Sequence, residues 1–473
     1  MLTLSDSSRR FGRRDFLRIG ALSLGASTEV GLAASKMALA AGKTGSKQPD
    51  PRLAVLSDRT IIFLHMQGGP SQIETFDPKM AAPVEIRSLT GEIATKVPGL
   101  TFGSTFPQLA RRADRLTIVR SFVPGDAKHD IKPVVSAKTH GASLGAVYAR
   151  VAGATDALSG LPTSVWCNPR SVNEMAGRGT DNFGLFNDPG TLGASYAPFI
   201  PGNGGPLQQA MRLSLPLERV NDRRSLLGRL DSLKRSLDVG GNLVGMDEFQ
   251  AQAFNVILNG AGDAFDLSQE NPRDLARYDT APLVPIKSID KKWNNYRRYI
   301  DHSQNIGKLL LLTRRLVEAG VGFITVSTDF VWDNHADSNN AGIVEGMDYV
   351  ARPFDHAVSM FLDDLEERGL ADKVLLVCCG EMGRGPRINK RGGRDHWGNL
   401  GPLLLAGGGL PRGRVYGQST RDGGDPQSDP VTQENLLGTI MNAAFDVGKL
   451  RLVPGLPADI LRLAELAPIP DLG

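Results

Sequence analysis

The chain has 473 residues, with 54 Lys+Arg against 51 Asp+Glu, 41% hydrophobic and 6% aromatic residues, and only 3 Cys. This composition excludes a disordered or fibrous chain, and so few cysteines, two of them the neighbours Cys378 and Cys379, exclude a disulfide framework. The formal charge of +3 sits in the first forty residues, which hold six basic and three acidic side chains; the remaining 48 of each sign leave no cationic surplus for general nucleic-acid binding.

In chain order, the first segment reads as a leader. Arg13-Arg14-Asp15-Phe16-Leu17-Arg18 resembles the twin-arginine export motif and precedes a weakly apolar stretch, residues 19–28. Ala38-Leu39-Ala40 then offers the small-x-small pattern a signal peptidase requires. Gly12 stands where the motif has Ser or Thr, and Glu29 interrupts the apolar run, so an amphipathic helix or an uncleaved membrane anchor is the alternative. The expected organisation is a twin-arginine signal peptide over 1–40, a linker over 41–58 and a single domain over 59–473. No other segment approaches the ~20 apolar residues of a membrane span. The mature protein is therefore expected to be soluble and periplasmic or extracellular, delivered by the twin-arginine machinery, or anchored where the leader is not cleaved.

Residues 60–66 and 116–122 are short apolar runs that end in Gly/Pro loops, the pattern of strands buried on both faces. A short helix is expected near 107–113. The middle, 177–299, is rich in Gly and Pro, with helices expected near 223–237 and 247–258 and no buried strand. It reads as a loop- and helix-rich insertion on the sheet. The C-terminal half alternates: helix 306–319, strand 321–327, helix 347–368, strand 374–379, strand 403–406 and a late helix 432–445 capped by Thr432. Alternation of this kind predicts a three-layer α/β/α sandwich with a mostly parallel sheet.

In such a sheet, ligands bind at the carboxyl ends of the strands. After the first strand come Gly68, Gly69, Ser71 and Thr75; after the second, His129. Asp333 and His335 follow the strand at 321–327, and Glu381 and Arg384 the strand at 374–379. Arg394, Asp395 and His396 come shortly before the strand at 403–406. Oxygen and nitrogen ligands gathered from Asp333, His335, Glu381, Asp395 and His396 suit a divalent ion such as zinc, manganese or calcium. Arg384 and Arg394 suit a sulfate, phosphate or carboxylate, and Gly68 and Gly69 allow close backbone approach to a ligand. Ser71 and Thr75 are the candidate nucleophiles, with the choice open; His129 can act as general base, donor or ligand, or be a loop histidine. Cys167-Asn168-Pro169-Arg170 is not the Cys-x-Pro-x-Arg site that sulfatases convert, because its arginine comes one position early.

Gln67-Gly68-Gly69-Pro70-Ser71 with Thr75-Phe76-Asp77-Pro78-Lys79, Gly380-Glu381-Met382-Gly383-Arg384, Gly392-Gly393-Arg394-Asp395-His396-Trp397 and Leu404-Leu405-Ala406-Gly407-Gly408-Gly409 resemble one family in order and spacing. It is the exported, sulfatase-like bacterial family catalogued as domain of unknown function 1501. The resemblance implies an alkaline-phosphatase-like fold with a metal-dependent hydrolase site at the strand ends. It places Asp333, His335 and His396 at ligand positions and Glu381 at that of an aspartate. Met382 stands where the superfamily has a histidine, and Gln67 or His65 near where the first strand brings an aspartate, so ligands of a two-metal site are missing. The implied function is hydrolysis of sulfate or phosphate esters of a small molecule or polysaccharide. The alternative is a non-catalytic binding or surface-assembly protein that keeps the fold.

Overall fold

The computed structural model describes residues 5–6, 9–10, 53–156, 159–177, 182–202 and 261–472. Two units are distinguished, residues 1–54 and 55–473. In the first, Ser5–Asp6 pairs antiparallel with Arg9–Arg10. The leader's arginine pair, apolar stretch and residues 38–40 lie outside the described residues, as do the helices expected near 223–237 and 247–258. No helix among the described residues is long and apolar enough to cross a membrane.

The second unit is built on an eight-stranded sheet. Its strands are β1 (Thr60–His65), β2 (Leu116–Val123), β3 (Ser164–Cys167), β4 (Phe323–Ser327) and β5 (Val374–Cys379). A hairpin of β6 (Gly383–Ile388) and β7 (Arg394–Trp397) stands apart from it, and β8 (Gly401–Gly407), β9 (Arg414–Tyr416) and β10 (Val431–Thr432) complete it. The spatial order is β9-β2-β8-β5-β1-β4-β3, with β10 also on β2. Pairing is parallel except at β8, which runs antiparallel to both β5 and β2.

The period of two along the strands divides the core. Ile62 and Leu64 of β1, with Leu376 and Cys378 of β5, pack on one face under α2 (Tyr296–Glu318) and α3 (Ile343–Glu367). Ile61 and Phe63, with Leu375, Val377 and Cys379, pack on the other under α1 (Leu144–Ala152) and α4 (Gln433–Ala444). Both faces are thus covered, which gives the three-layer α/β/α arrangement with a mostly parallel sheet. Helix α4 is capped by Thr432, whose side chain accepts from the Asn435 amide.

Several elements differ from expectation, among them the unexpected hairpin of β6 and β7 and the three that follow. Helix α2 starts at Tyr296, ten residues before the apolar period begins, because its first turns (Arg297, Arg298, Asp301, Gln304) are polar. Strand β3 has four residues, all buried, between Pro162 and Pro169, too few for an apolar run to stand out. Helix α3 begins four residues earlier and contains Pro353.

His302, on α2, is buried, and its Nε2–H donates to the Val350 carbonyl at 3.0 Å, while Nδ1 has no partner. Burial pulls its pKa from 6.5 down to about 4. Below pH 6.5 the unfolded chain takes a proton that the folded one refuses, so stability is lost as pH falls through this window, by about 1.4 kcal/mol per pH unit. Urea unfolding from pH 7 to 4.5 should show a shallower acid decline in His302→Gln; equal slopes in both proteins would refute the assignment.

Candidate metal centre

The carboxyl ends of the parallel strands and the reversed entry of β8 bring distant segments to one rim. Strand β4 ends at Ser327 and leads to Asp333 and His335; β2 ends at Val123 and leads to His129; β5 ends at Cys379 and leads to Glu381. His396 lies on β7, just ahead of β8. Because β8 runs antiparallel, its start falls at the same rim as its neighbours' ends, with Gly401 opposite Phe122 and Leu403 opposite Cys379.

There, one donor atom each from His129, Asp333, His335 and His396 lies within 4.8 Å of the others. Asp333 is the centre. His335 Nε2 is 3.0 Å from its Oδ1, His396 Nε2 3.5 Å from the same oxygen, and His129 Nε2 3.5 Å from Oδ2. Asn340 Nδ2 donates to Oδ2 at 2.9 Å, and Arg384 Nη2 donates to Oδ1. Burial favours the neutral acid, but the Arg384 guanidinium and the hydrogen bonds from His129 and His335 hold the carboxyl well below the usual carboxylate range.

The histidines are oriented from behind. His396 Nδ1–H donates to the Ala127 carbonyl at 3.1 Å, so Nε2 carries the lone pair. That Nε2 is buried and has no hydrogen-bond partner, an orphaned acceptor aimed into the cluster. Burial, then the charges of Arg384 and His129, lower the His396 pKa and keep the ring neutral. His129 Nδ1–H donates to Glu381 Oε1 at 2.9 Å. Against the pull of burial, its hydrogen bonds to Asp333 and Glu381 raise its pKa. A carboxylate or carbonyl behind an imidazole that faces a common point is the outer-shell arrangement of metal-ligating histidines. Three nitrogens, one carboxylate oxygen and an unpartnered lone pair fit a divalent ion.

The hairpin supports this arrangement through its register, in which Arg384 lies opposite His396. Its turn closes on the His335 backbone: Asn389 Nδ2 donates to the His335 carbonyl at 3.0 Å and the Arg394 amide to the Asn334 carbonyl at 3.1 Å. A Cβ on Gly393 would fall 2.2 Å from the His335 carbonyl oxygen, so only glycine lets the turn approach this closely. On the open side, Phe330 meets the His129 ring edge-on at 4.7 Å and stacks on Phe183 at 4.9 Å. His129, His335 and His396 keep side-chain exposures of 14%, 19% and 29%, so the cluster is reachable from solvent.

The other predicted residues have different surroundings. Glu381 is fully buried and accepts the Gly68 amide on both oxygens, at 3.0 and 3.1 Å; it supports His129 rather than joining the four donors. Asp395 is 72% exposed, 3.6 Å from His335 Nδ1 and outside the cluster. Arg384 and Arg394, expected to hold a substrate anion, are buried and already committed. Arg384 donates to the carbonyls of Gly68, Gly69 (2.7 Å) and Arg394 (3.2 Å) besides Asp333. Arg394 pairs with Glu74 at 2.8 Å and donates to the carbonyls of Pro386, Ile86 and Arg87. The amide of Gly68, expected to face a ligand, goes to Glu381, and both glycines have left-handed backbones (φ +114° and +82°). A Cβ on Gly69 would fall 2.6 Å from Met382 Cγ, so the close approach it permits is to the protein itself. Ser71 and Thr75 are buried with hydroxyls bonded inside their own loop: Thr75 Oγ1 donates to the Ser71 carbonyl at 2.8 Å, and Ser71 Oγ accepts the Glu74 amide at 3.3 Å. Cys167 ends β3 fully buried, and burial pushes its thiol far up, so it is inert packing.

Residues 58–450 match a protein family described as "protein of unknown function (DUF1501)". No curated protein matches the chain in sequence. Similar solved structures include a sulfatase from Pseudoalteromonas sp., at 9% identity and TM-score 0.32 over 80% of this chain and 69% of that one. A phosphonate monoester hydrolase from Silicibacter pomeroyi has 12% identity and TM-score 0.31 over 81% and 73%. The alkaline phosphatase from the Antarctic bacterium TAB5 has 11% identity and TM-score 0.28 over 76% and 94%. Likenesses this low do not bear on activity.

Proposed function

The chain belongs to the DUF1501 family, and from that premise and the cluster geometry we propose that it is an exported, metal-dependent hydrolase of sulfate or phosphate esters. The observation that carries this reading is the convergence of His129, Asp333, His335 and His396, with an unpartnered lone pair on His396 Nε2. Three imidazoles and one carboxylate suit zinc or manganese better than calcium, which takes roughly six to eight oxygens. The ion would supply Lewis-acid polarisation of the ester and a water of lowered pKa. The protein's own share is positional. Ala127 fixes the His396 tautomer, Glu381 orients His129, and Arg384 keeps Asp333 ionised. With Ser71 and Thr75 bonded within their loop, water is the nucleophile this reading favours over a side-chain hydroxyl. The second reading, a non-catalytic module, draws on the Arg384–Asp333 pair, which already neutralises the one carboxylate of the cluster.

Export rests on the leader and places the protein outside the cytoplasm. One preparation tests both parts. Protein recovered from the periplasm or medium should begin at Ala41 and hold one zinc or manganese per chain. His396→Ala should lose that metal together with at least about a hundredfold of aryl sulfate or phosphate ester turnover. Metal-free wild-type protein, inert towards both esters, would leave the binding module standing instead.

A further inference from the structure

The loop that carries Asp333 and His335 runs on to Ile343, where α3 begins, and its shape follows from its own polar side chains. Asp337 Oδ1 accepts the amides of Asn339 and Asn340, at 2.9 and 2.7 Å, and Ala336 takes a left-handed backbone (φ 57°), so the chain folds back on itself. The Ala336 amide donates to the Ala341 carbonyl at 3.2 Å across the turn. Asn340, 3% exposed, is thereby returned to the carboxylate seven positions earlier, with its Nδ2 2.9 Å from Asp333 Oδ2.

Asn340 is held from both ends. A carboxylate only accepts, so the side-chain amide presents its Nδ2–H to Asp333 and turns its Oδ1 the other way. There it accepts from Asn295 Nδ2 at 2.8 Å. Asn295 is the residue before the first turn of α2, and its side chain caps no helical amide. The backbone around it is tied to the same loop. The Asn294 and Asn295 amides donate to the Ser338 and Asn339 carbonyls at 3.1 and 3.0 Å, and the Ala341 amide donates to Tyr299 Oη at 3.0 Å. The start of a 23-residue helix thus fixes an amide that in turn fixes a carboxylate.

The two oxygens of Asp333 have different surroundings. Oδ1 accepts from Arg384 Nη2 and has His335 Nε2 at 3.0 Å and His396 Nε2 at 3.5 Å, whereas Oδ2 has Asn340 at 2.9 Å and His129 Nε2 at 3.5 Å. The terminal torsion of an aspartate is broad, so a strong donor on Oδ1 alone would leave the carboxylate able to swing about it. A neutral donor on Oδ2 locks the plane without bringing a second cation towards a divalent ion. We propose that Asn340 is a positioning residue of the metal centre: through the chain Asn295–Asn340–Asp333 it sets the orientation in which the carboxylate meets the ion. The inference rests on the metal-centre reading of the cluster and adds a residue that supplies no donor to it.

Titration of the full chain with cobalt(II) tests this, because the visible absorption of bound cobalt reports the geometry of its ligands. Asn340→Leu, similar in size but without a donor, should bind cobalt about tenfold or more weakly and show an altered absorption band at saturating metal. Asn295→Ala leaves every contact of Asp333 in place and should move both readings the same way, with affinity down about threefold. Asn294→Ala breaks the bond from its Nδ2 to Asn339 Oδ1, at 2.8 Å, and so loosens the same junction outside the chain; it should keep the wild-type affinity and band. Should Asn340→Leu not fold, Asn295→Ala decides alone. Wild-type affinity and band in Asn340→Leu and Asn295→Ala would overturn the proposal and leave the metal centre standing. An equal effect of Asn294→Ala would do the same, since the junction would then act only through the fold. Wild-type protein that binds no cobalt would overturn the metal centre and the proposal together.

Discussion

Asp333→Asn should lower the unfolding free energy by about 3–5 kcal/mol and abolish metal binding, although the substituted side chain has the same shape. The Arg384 guanidinium is 1% exposed and has Asp333 as its ion-pair partner. Removing the negative charge leaves a buried cation held only by neutral groups, the carbonyls and the His335 ring nitrogen 3.3 Å from Nη1, and an unpaired buried charge costs this much. The substitution also removes the carboxylate charge around which His129, His335 and His396 converge. Urea unfolding reads the first effect and metal analysis the second.

The double variant Asp333→Asn with Arg384→Met separates them. With no charge left to strand, much of the stability should return, because removing both partners of a buried pair costs less than removing one. Metal should stay absent, since the carboxylate ligand is gone. Wild-type stability in the single variant would mean that the pair contributes little to the folded state. Recovered metal in the double variant would mean that Asp333 is not a ligand.

What the sequence disclosed and what it concealed divide along one physical line. Strands β1 and β5 were legible because burial on both faces makes every residue apolar, and Asp333 and His335 were legible because they follow a strand end directly. The direction of β8 was not, since a run of leucines reads the same whichever way it is traversed. Yet that reversal brings His396 to the rim, where a parallel strand would have left it at the opposite edge. His129 lies in an aperiodic loop of Gly, Pro and charged residues, so its place beside Glu381, 252 positions away, had no local signature. Arg384 and Arg394 misled for a related reason. Arginines in a loop rich in charge are ordinarily solvated, and only partners 51 and 320 positions off, Asp333 and Glu74, make their burial tolerable. Long-range pairing decides whether such a side chain binds a substrate or supports the fold.

Gly68→Ala should be nearly as damaging as the loss of Asp333, and by an unrelated route. Gly68 has φ +114°, and a Cβ there would fall 2.7 Å from the Asp333 amide nitrogen and 2.8 Å from that of Trp332. Those are backbone atoms, tied in place where the Val331 and Trp332 amides both donate to the Gln67 carbonyl at 3.1 Å, so no flexible side chain can give way. Relief requires moving the segment that carries Asp333, or breaking the bond from the Gly68 amide to Glu381 and with it the support behind His129. Gly369, just beyond the end of α3, supplies the control: its φ is +67° and a Cβ there meets nothing within 4 Å. Gly369→Ala should therefore cost only the backbone strain, about 1 kcal/mol. Gly68→Ala should cost about 3 kcal/mol or more, with metal affinity reduced about tenfold or further as the ligands separate. Equal losses of stability in the two alanine variants, with metal affinity intact in both, would show that the first loop does not set the position of Asp333.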